Sequence, residues 1–163
     1  LLVYRNNGDL TFTNVAPTNS PDLVGKIHGI AAADVDHDGD PDLAVNNGGV
    51  LLSDRWKDAF LENQTQNASW IHLRLVGTDS NRSGIGARVT VKAGDRTWMQ
   101  ERVAGQGFAS TNGPYLIFGL GKAQQVDGIH IHWPSGKQQF LPTLGVNQAL
   151  EVREGSAELR RHY

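Results

Sequence analysis

The residues with the clearest chemistry are Asp34-Val35-Asp36-His37-Asp38-Gly39-Asp40-Pro41-Asp42-Leu43, where carboxylates fall at positions 1, 3, 5, 7 and 9. Carboxylates this close repel one another, each near pair costing roughly 1 to 4 kcal/mol at effective dielectrics of 80 to 20, unless a cation sits among them. Calcium takes six to eight hard oxygen ligands, alternate residues of a tight loop can aim their oxygens at one point, and Gly39 permits the sharp reversal. The spacing therefore predicts a calcium site. Asp34, Asp36 and Asp38 should ligate through side chains, Asp40 through its backbone carbonyl, and Asp42 as the closing carboxylate. An EF-hand would need Glu at position 12 and a long helix on each side. Here Asp closes at position 9 and strand-like sequence flanks the loop. Three alternatives compete. A metal-free solvated turn has to explain the strict alternation around a glycine. Magnesium is less suited to a nearly all-protein oxygen cage. An acid–base pair would need a carboxylate not already held ionised by a cation.

Other constellations are weaker. His130 and His132 should share one side of a strand, and with His72 nearby they would be the minimum for a transition-metal site; packed or surface histidines are the simpler reading. Trp70, Trp98, Trp133, Tyr115 and Phe108 would suit a sugar-stacking platform, against which stands their ordinary use as filler of a small sandwich. Gly84-Ile85-Gly86 is half of a dinucleotide fingerprint without its third glycine or a strand–helix setting, so it reads as a turn entering a strand. Asn63, Asn67 and Asn81 each head an N-x-[ST] triplet in expected loops. There is no Cys, which excludes disulfides, thiolate metal sites and a Cys nucleophile. No Ser or His pairing marks a catalytic site, so we expect no enzyme.

The positions that must carry these groups read as short strands. Leu1 to Arg5 and Thr11 to Val15 flank Asn6-Asn7-Gly8-Asp9, a strong hairpin signal. Ile27 to Asp34 and Leu43 to Asn46 flank the acidic loop. Leu52, Trp56, Ala59 and Phe60 follow helical spacing, which predicts one short helix over Ser53 to Glu62. Beyond Trp70 a two-residue period dominates, with Ile71, Leu73, Leu75, Val89 and Val91 on one side, and seven strands spaced by Gly-rich turns suggest an antiparallel sandwich or barrel. The expected division is a calcium-binding region at 1–62, a linker at 63–69, a β domain at 70–154 and a charged, frayed tail at 155–163.

Charge distribution sharpens this. The net charge is −2, yet residues 1–50 carry 7 acids and 2 bases while the rest carry 10 acids and 13 bases. Arg74, Arg82, Arg88, Lys92, Arg96 and Arg102 are spread along the strands rather than clustered, so no nucleic-acid partner is expected. No apolar run is long enough to span a membrane. Leu1-Leu2-Val3-Tyr4-Arg5 resembles neither an initiator segment nor a signal peptide, so the chain reads as a piece of something longer.

Asp34 to Leu43 resembles the calcium loop of FG-GAP or VCBS repeats, and Tyr4-Arg5-Asn6-Asn7-Gly8-Asp9-Leu10-Thr11-Phe12-Thr13 is similar to the stretch joining such repeats, with Leu10 where the family usually has Gly. Asn81 to Val89, Phe118-Gly119-Leu120-Gly121 and Trp133-Pro134-Ser135-Gly136-Lys137 resemble the successive signatures of the ASPIC/UnbV domain. The resemblance implies an all-β chain, a partial propeller-like repeat followed by an extracellular β module without catalytic residues to carry over. It also implies secretion or an extracellular setting, a periplasm included, where millimolar calcium would fill a weak site. One repeat cannot close a propeller, so its open edges should meet a protein partner or a second copy. The expectation is a calcium-stabilised module for adhesion or assembly; the alternative is a carbohydrate-binding module that uses the aromatics on glycans.

Overall fold

A computed structural model describes residues 2–15, 25–49, 55–65 and 68–162. Asn6 to Thr11 form the expected hairpin loop between β1 (Tyr4–Asn6) and β2 (Phe12–Asn14). Asp9 closes it by accepting the Thr11 N–H at 3.0 Å, and Asn6 by accepting the Gly8 N–H at 2.8 Å. Leu10 sits there with φ of 67°, left-handed and 97% exposed, which is the physical reason a glycine suits this position.

Next come β3 (Ile27–Ala33), β4 (Asp42–Asn47) and β5 (Ala59–Leu61), an antiparallel sheet ordered β3-β4-β5. The expected helix over Ser53 to Glu62 is not formed. Residues 53 and 54 lie outside the described residues, 55–58 are irregular, and Ala59–Leu61 pair with Leu43–Val45. A helix of that length is marginal alone, and a waiting strand edge at β4 offers three backbone pairings that helical spacing cannot foresee.

The remainder forms β6 (Ser69–Val76), β7 (Arg88–Ala93), β8 (Arg96–Glu101), β9 (Tyr115–Gly121), β10 (Gln125–Val126), β11 (Gly128–His132), β12 (Gln138–Leu141), β13 (Leu144–Gly145), β14 (Gln148–Arg153) and β15 (Leu159–Arg161). Two four-stranded sheets, β12-β11-β7-β8 and β15-β14-β6-β9, face each other across a shared core, with a small β10-β13 pair beside them. Alternate residues fill that core. Ile71 and Leu73 from β6, Val89 and Val91 from β7, and Ile129 and Ile131 from β11 are fully buried, with Trp133 among them. Each such side chain stabilises by about 1.5 to 3 kcal/mol relative to exposure.

Two expectations need correction. The sandwich is not antiparallel throughout, because β14 runs parallel to β6 from the Gln148–Ile71 pair to Arg153–Val76. Nor is the tail wholly frayed: Leu159–Arg161 pair with Leu150–Val152, and Leu159 packs on the core while the arginines face outward. Among the described residues there is no helix, and no helix long and apolar enough to cross a membrane.

Candidate metal centre

The acidic loop bridges β3 and β4, so its two ends are fixed side by side by the Ala33–Asp42 pairing. Between them His37 (φ 66°) and Gly39 (φ 103°) turn the chain back on itself. Its carboxylates then fold inward onto backbone N–H groups. Asp42 Oδ2 accepts from Val35 at 2.9 Å, Asp34 Oδ2 from Gly39 at 3.2 Å, Asp36 Oδ1 from Asp38 at 3.4 Å and Asp38 Oδ1 from Asp40 at 3.1 Å. These bonds fix the carboxylates before any ligand arrives.

Asp34, Asp36 and Asp42 each offer an oxygen, all within 4.8 Å of one another. Oxygens about 2.4 Å from a common ion are at most about 4.8 Å apart, so the trio has the spread of a calcium shell. Asp38 and Asp40 are not in that group. Asp40 Oδ2 accepts the Thr65 N–H at 2.9 Å, while its Oδ1 is buried without a hydrogen-bond partner. Burial, and then the Asp38 carboxylate with Asp42 and Asp36 behind it, push the Asp40 carboxyl above its ordinary value, against the Thr65 N–H that lowers it. Like charges held together beside an orphaned oxygen are the electrostatics of a site that a cation relieves. The donor set fits a hard divalent ion, and the group can hold one.

The stretch 63–69, expected as a linker, takes part in this arrangement. Asn63 donates its N–H to Asp42 Oδ1 at 2.9 Å, Thr65 serves Asp40, and Ser69 already belongs to β6. The outward face of β6 completes it. Between the core residues Ile71 and Leu73, alternation sends His72 away from the sandwich core, yet His72 is fully buried. What covers it is the acidic loop: His72 Nε2 lies 3.2 Å from the Gly39 carbonyl and Nδ1 3.4 Å from Asp34 Oδ2. Burial pushes the His72 pKa down, with His37 in the same direction, against Asp34 and the Gly39 carbonyl, which favour the charged ring. A neutral ring has one N–H, so it serves one of the two acceptors at a time. Beside it the Trp70 indole, its ring centre 4.4 Å from that of His72, lies so close to Gly39 that a Cβ there would overlap the indole nitrogen and its neighbours. Sequence spacing put Trp70 and His72 in other constellations, because nothing local in β6 says which loop will cover it.

The remaining candidates separate. His130 and His132 are exposed on the other sheet from His72, so the three do not converge. Of the five aromatics, Trp133 is in the core, Trp98 packs against it, Trp70 lies under the acidic loop, Tyr115 has its ring centre 6.1 Å from that of His72, and Phe108 stands 78% exposed. They make no common platform. Asn81 uses its amide on the Ile85 backbone at 2.7 and 2.9 Å, Asn63 holds Thr65, and Asn67 lies outside the described residues. Gly84 and Gly86 turn with positive φ into β7, as read.

Comparison with known families finds two kinds of match. The family model described as FG-GAP-like repeat matches residues 1–45, and that described as FG-GAP repeat matches 28–72, which reaches through the acidic loop to Trp70 and His72. Repeats of this kind are typical of extracellular proteins. A search of curated proteins returned no significant match. The model described as ASPIC and UnbV matches residues 77–159, just over half of the 163. The chain therefore belongs to the ASPIC and UnbV family, and carries FG-GAP repeat sequence ahead of that domain.

Proposed function

We propose that the chain is a calcium-stabilised, non-enzymatic extracellular module whose N-terminal repeat mediates adhesion or protein assembly. One observation carries the reading. Of the twelve large hydrophobic side chains exposed among the described residues, eight lie in residues 2–60, including Tyr4, Leu10, Phe12, Trp56 and Phe60. Concentrated exposed apolar surface marks an interaction site. The strand edges agree with it. Among the described residues the β1–β2 hairpin pairs with no third strand, and β5 leaves its outer edge open. The opposite edge, β3, is engaged within the chain, since Ala32 donates its N–H to Asn112 Oδ1 at 2.9 Å and its carbonyl accepts from Gly113 at 2.8 Å. Partners are therefore expected at the hairpin and β5, not at β3.

Calcium in this reading braces the β3–β4 turn against β6. The experiment is light scattering after size exclusion, in millimolar calcium and in excess chelator. A regular assembly in calcium that dissociates in chelator is the expected result, and Tyr4→Ser with Phe12→Ser should abolish it. A 17.7 kDa monomer in both buffers would remove self-assembly. Asp36→Ala tests the ion itself. At 100 times its dissociation constant calcium adds about 2.7 kcal/mol, so the wild-type melting temperature should rise with calcium and that of Asp36→Ala should not.

A further inference from the structure

Arg74, Arg82, Arg102 and Arg153 are far apart in sequence and come from four different places: the middle of β6, the loop after it, the residue following β8, and the end of β14. The fold nevertheless brings all four to the wall of one cleft of about 710 Å³. The expectation that Arg74, Arg82 and Arg102 stay dispersed is thereby corrected. Strand spacing separates them along the chain, but the parallel β6–β14 pairing and the return of the chain after β8 bring them together.

Their charges are unequally answered. Arg74 is half-buried, with Nη1 2.9 Å from His162 Nε2 and 3.7 Å from Glu151. Arg102, half-buried, donates from Nη1 to the Gly113 carbonyl at 3.4 Å. Arg82 and Arg153 are exposed, and among the described residues no carboxylate lies within 4 Å of Arg82, Arg102 or Arg153. Of the other nearby acids, Asp79 pairs with Lys137 and Glu154 is turned inward. The latter accepts the backbone N–H groups of Thr78, Asp79 and Ser80 at 2.8, 2.9 and 2.8 Å, so its charge fixes the cleft wall rather than neutralising the arginines. The result is a concave surface with two guanidinium groups held by the protein and two presented at its mouth.

We propose that this cleft binds a small polyanion, a ligand bearing two or more carboxylate groups. Guanidinium forks match planar carboxylates in bidentate fashion, which an ammonium does not, and a concave wall with four arginines against the one carboxylate of Glu151 keeps a net positive field. The volume lies within the usual range for a small-molecule pocket. The hydroxyl of Ser83 on the same wall offers a further hydrogen bond to a polyhydroxylated ligand, while those of Thr78 and Ser80 are engaged by Glu154. The class that fits is a short acidic saccharide or a free dicarboxylate, recognised by the same chemistry. This does not rest on the calcium reading, and binding is measured at constant saturating calcium.

The test is calorimetric titration of the full chain with trigalacturonate, with succinate, and with neutral maltotriose. Saturable binding of trigalacturonate or succinate, with none of maltotriose, is expected, and which of the two binds tells a saccharide from a free acid. Arg82→Ala with Arg153→Ala should weaken it about tenfold or more for each lost charge-assisted contact. Lys92→Ala with Arg96→Ala removes the same charge from exposed positions on the other sheet and should leave affinity unchanged. If the alanine pair lowers the melting temperature, Arg82→Gln with Arg153→Gln keeps the side-chain stems and should show the same loss. No saturable binding of either acid, or equal weakening by the cleft and control pairs, overturns the proposal.

Discussion

Replacing Gly39 by Ala should damage the whole molecule rather than one loop. Two costs combine. A φ of 103° is a conformation that L side chains rarely adopt, worth about 1 to 2 kcal/mol. The new methyl would also occupy the Trp70 indole, and overpacking at a closed contact costs about 1 to 3 kcal/mol. Together they predict a loss of about 2 to 5 kcal/mol, a large share of a typical domain's stability. A double-mutant cycle with Trp70→Ala separates the two. With the indole gone the methyl has room, so Gly39→Ala in that background should cost only the backbone part, about 1 to 2 kcal/mol, and the coupling energy should be about 1 to 3 kcal/mol. The assay is urea unfolding at pH 7 and fixed calcium, followed both by tryptophan fluorescence and by far-ultraviolet circular dichroism. Additivity within about 0.5 kcal/mol would mean that the two residues do not touch, and the docking of the acidic loop on β6 would be refuted.

Glu154 should make the protein acid-sensitive. Burial alone would raise its pKa, but the Ser135 and Ser80 hydroxyls with the Ser80 and Thr78 N–H groups outweigh it and hold the carboxyl at about 2 against an ordinary 4.5. A lowered folded pKa means stability fully present above pH 4.5 and lost as pH falls toward 2, about 3 kcal/mol in all. The stability gap between wild type and Glu154→Gln should therefore narrow between pH 5 and pH 2.5 in urea titrations; a constant gap would contradict it. Leu10→Gly should raise stability by about 0.5 to 1 kcal/mol in a thermal melt, since relief of the left-handed strain exceeds the entropy lost by glycine. Ile131→Ala, in the centre of the sandwich, should cost about 2 to 5 kcal/mol by urea midpoint, and a cost below 1 would show that the two sheets are not closely packed there.

What the sequence disclosed follows from which physical signals are local. Alternation of Ile71, Leu73 and Leu75 against His72 and Arg74 encodes the inward and outward sides of β6 without reference to any partner, and the structure reproduces it. The turn at Gly39 and the alternating carboxylates are likewise local. The failures lie where a partner decides. Leu52, Trp56, Ala59 and Phe60 have helical spacing, but β4 supplies an edge and Ala59–Leu61 become a strand. The burial of His72, the backbone hydrogen bonds that gather on Glu154 and the convergence of four arginines all depend on distant segments, such as the 33 residues between His72 and Gly39 and the 76 between Glu154 and Thr78. No spacing rule reaches that far. The parallel pairing of β14 with β6 was hidden for the same reason, since each strand reads identically in either direction.

That pairing also orders events during synthesis. β6 occupies an interior place in its sheet, between β9 and β14, so the strand whose outer face carries Trp70 and His72 is not fully flanked until Gln148–Arg153 has emerged. At about 5 to 20 residues per second the wait after β6 is on the order of 4 to 15 seconds. Throughout it Ile71, Leu73 and Leu75 lack their neighbours on one side, and the acidic loop has only a provisional seat. The acidic loop precedes β6 in the chain but is secured only after it. A chain cut short before β14 should leave β6 open on one side and prone to pair with another chain, so the seat of the acidic loop depends on a strand made long after it.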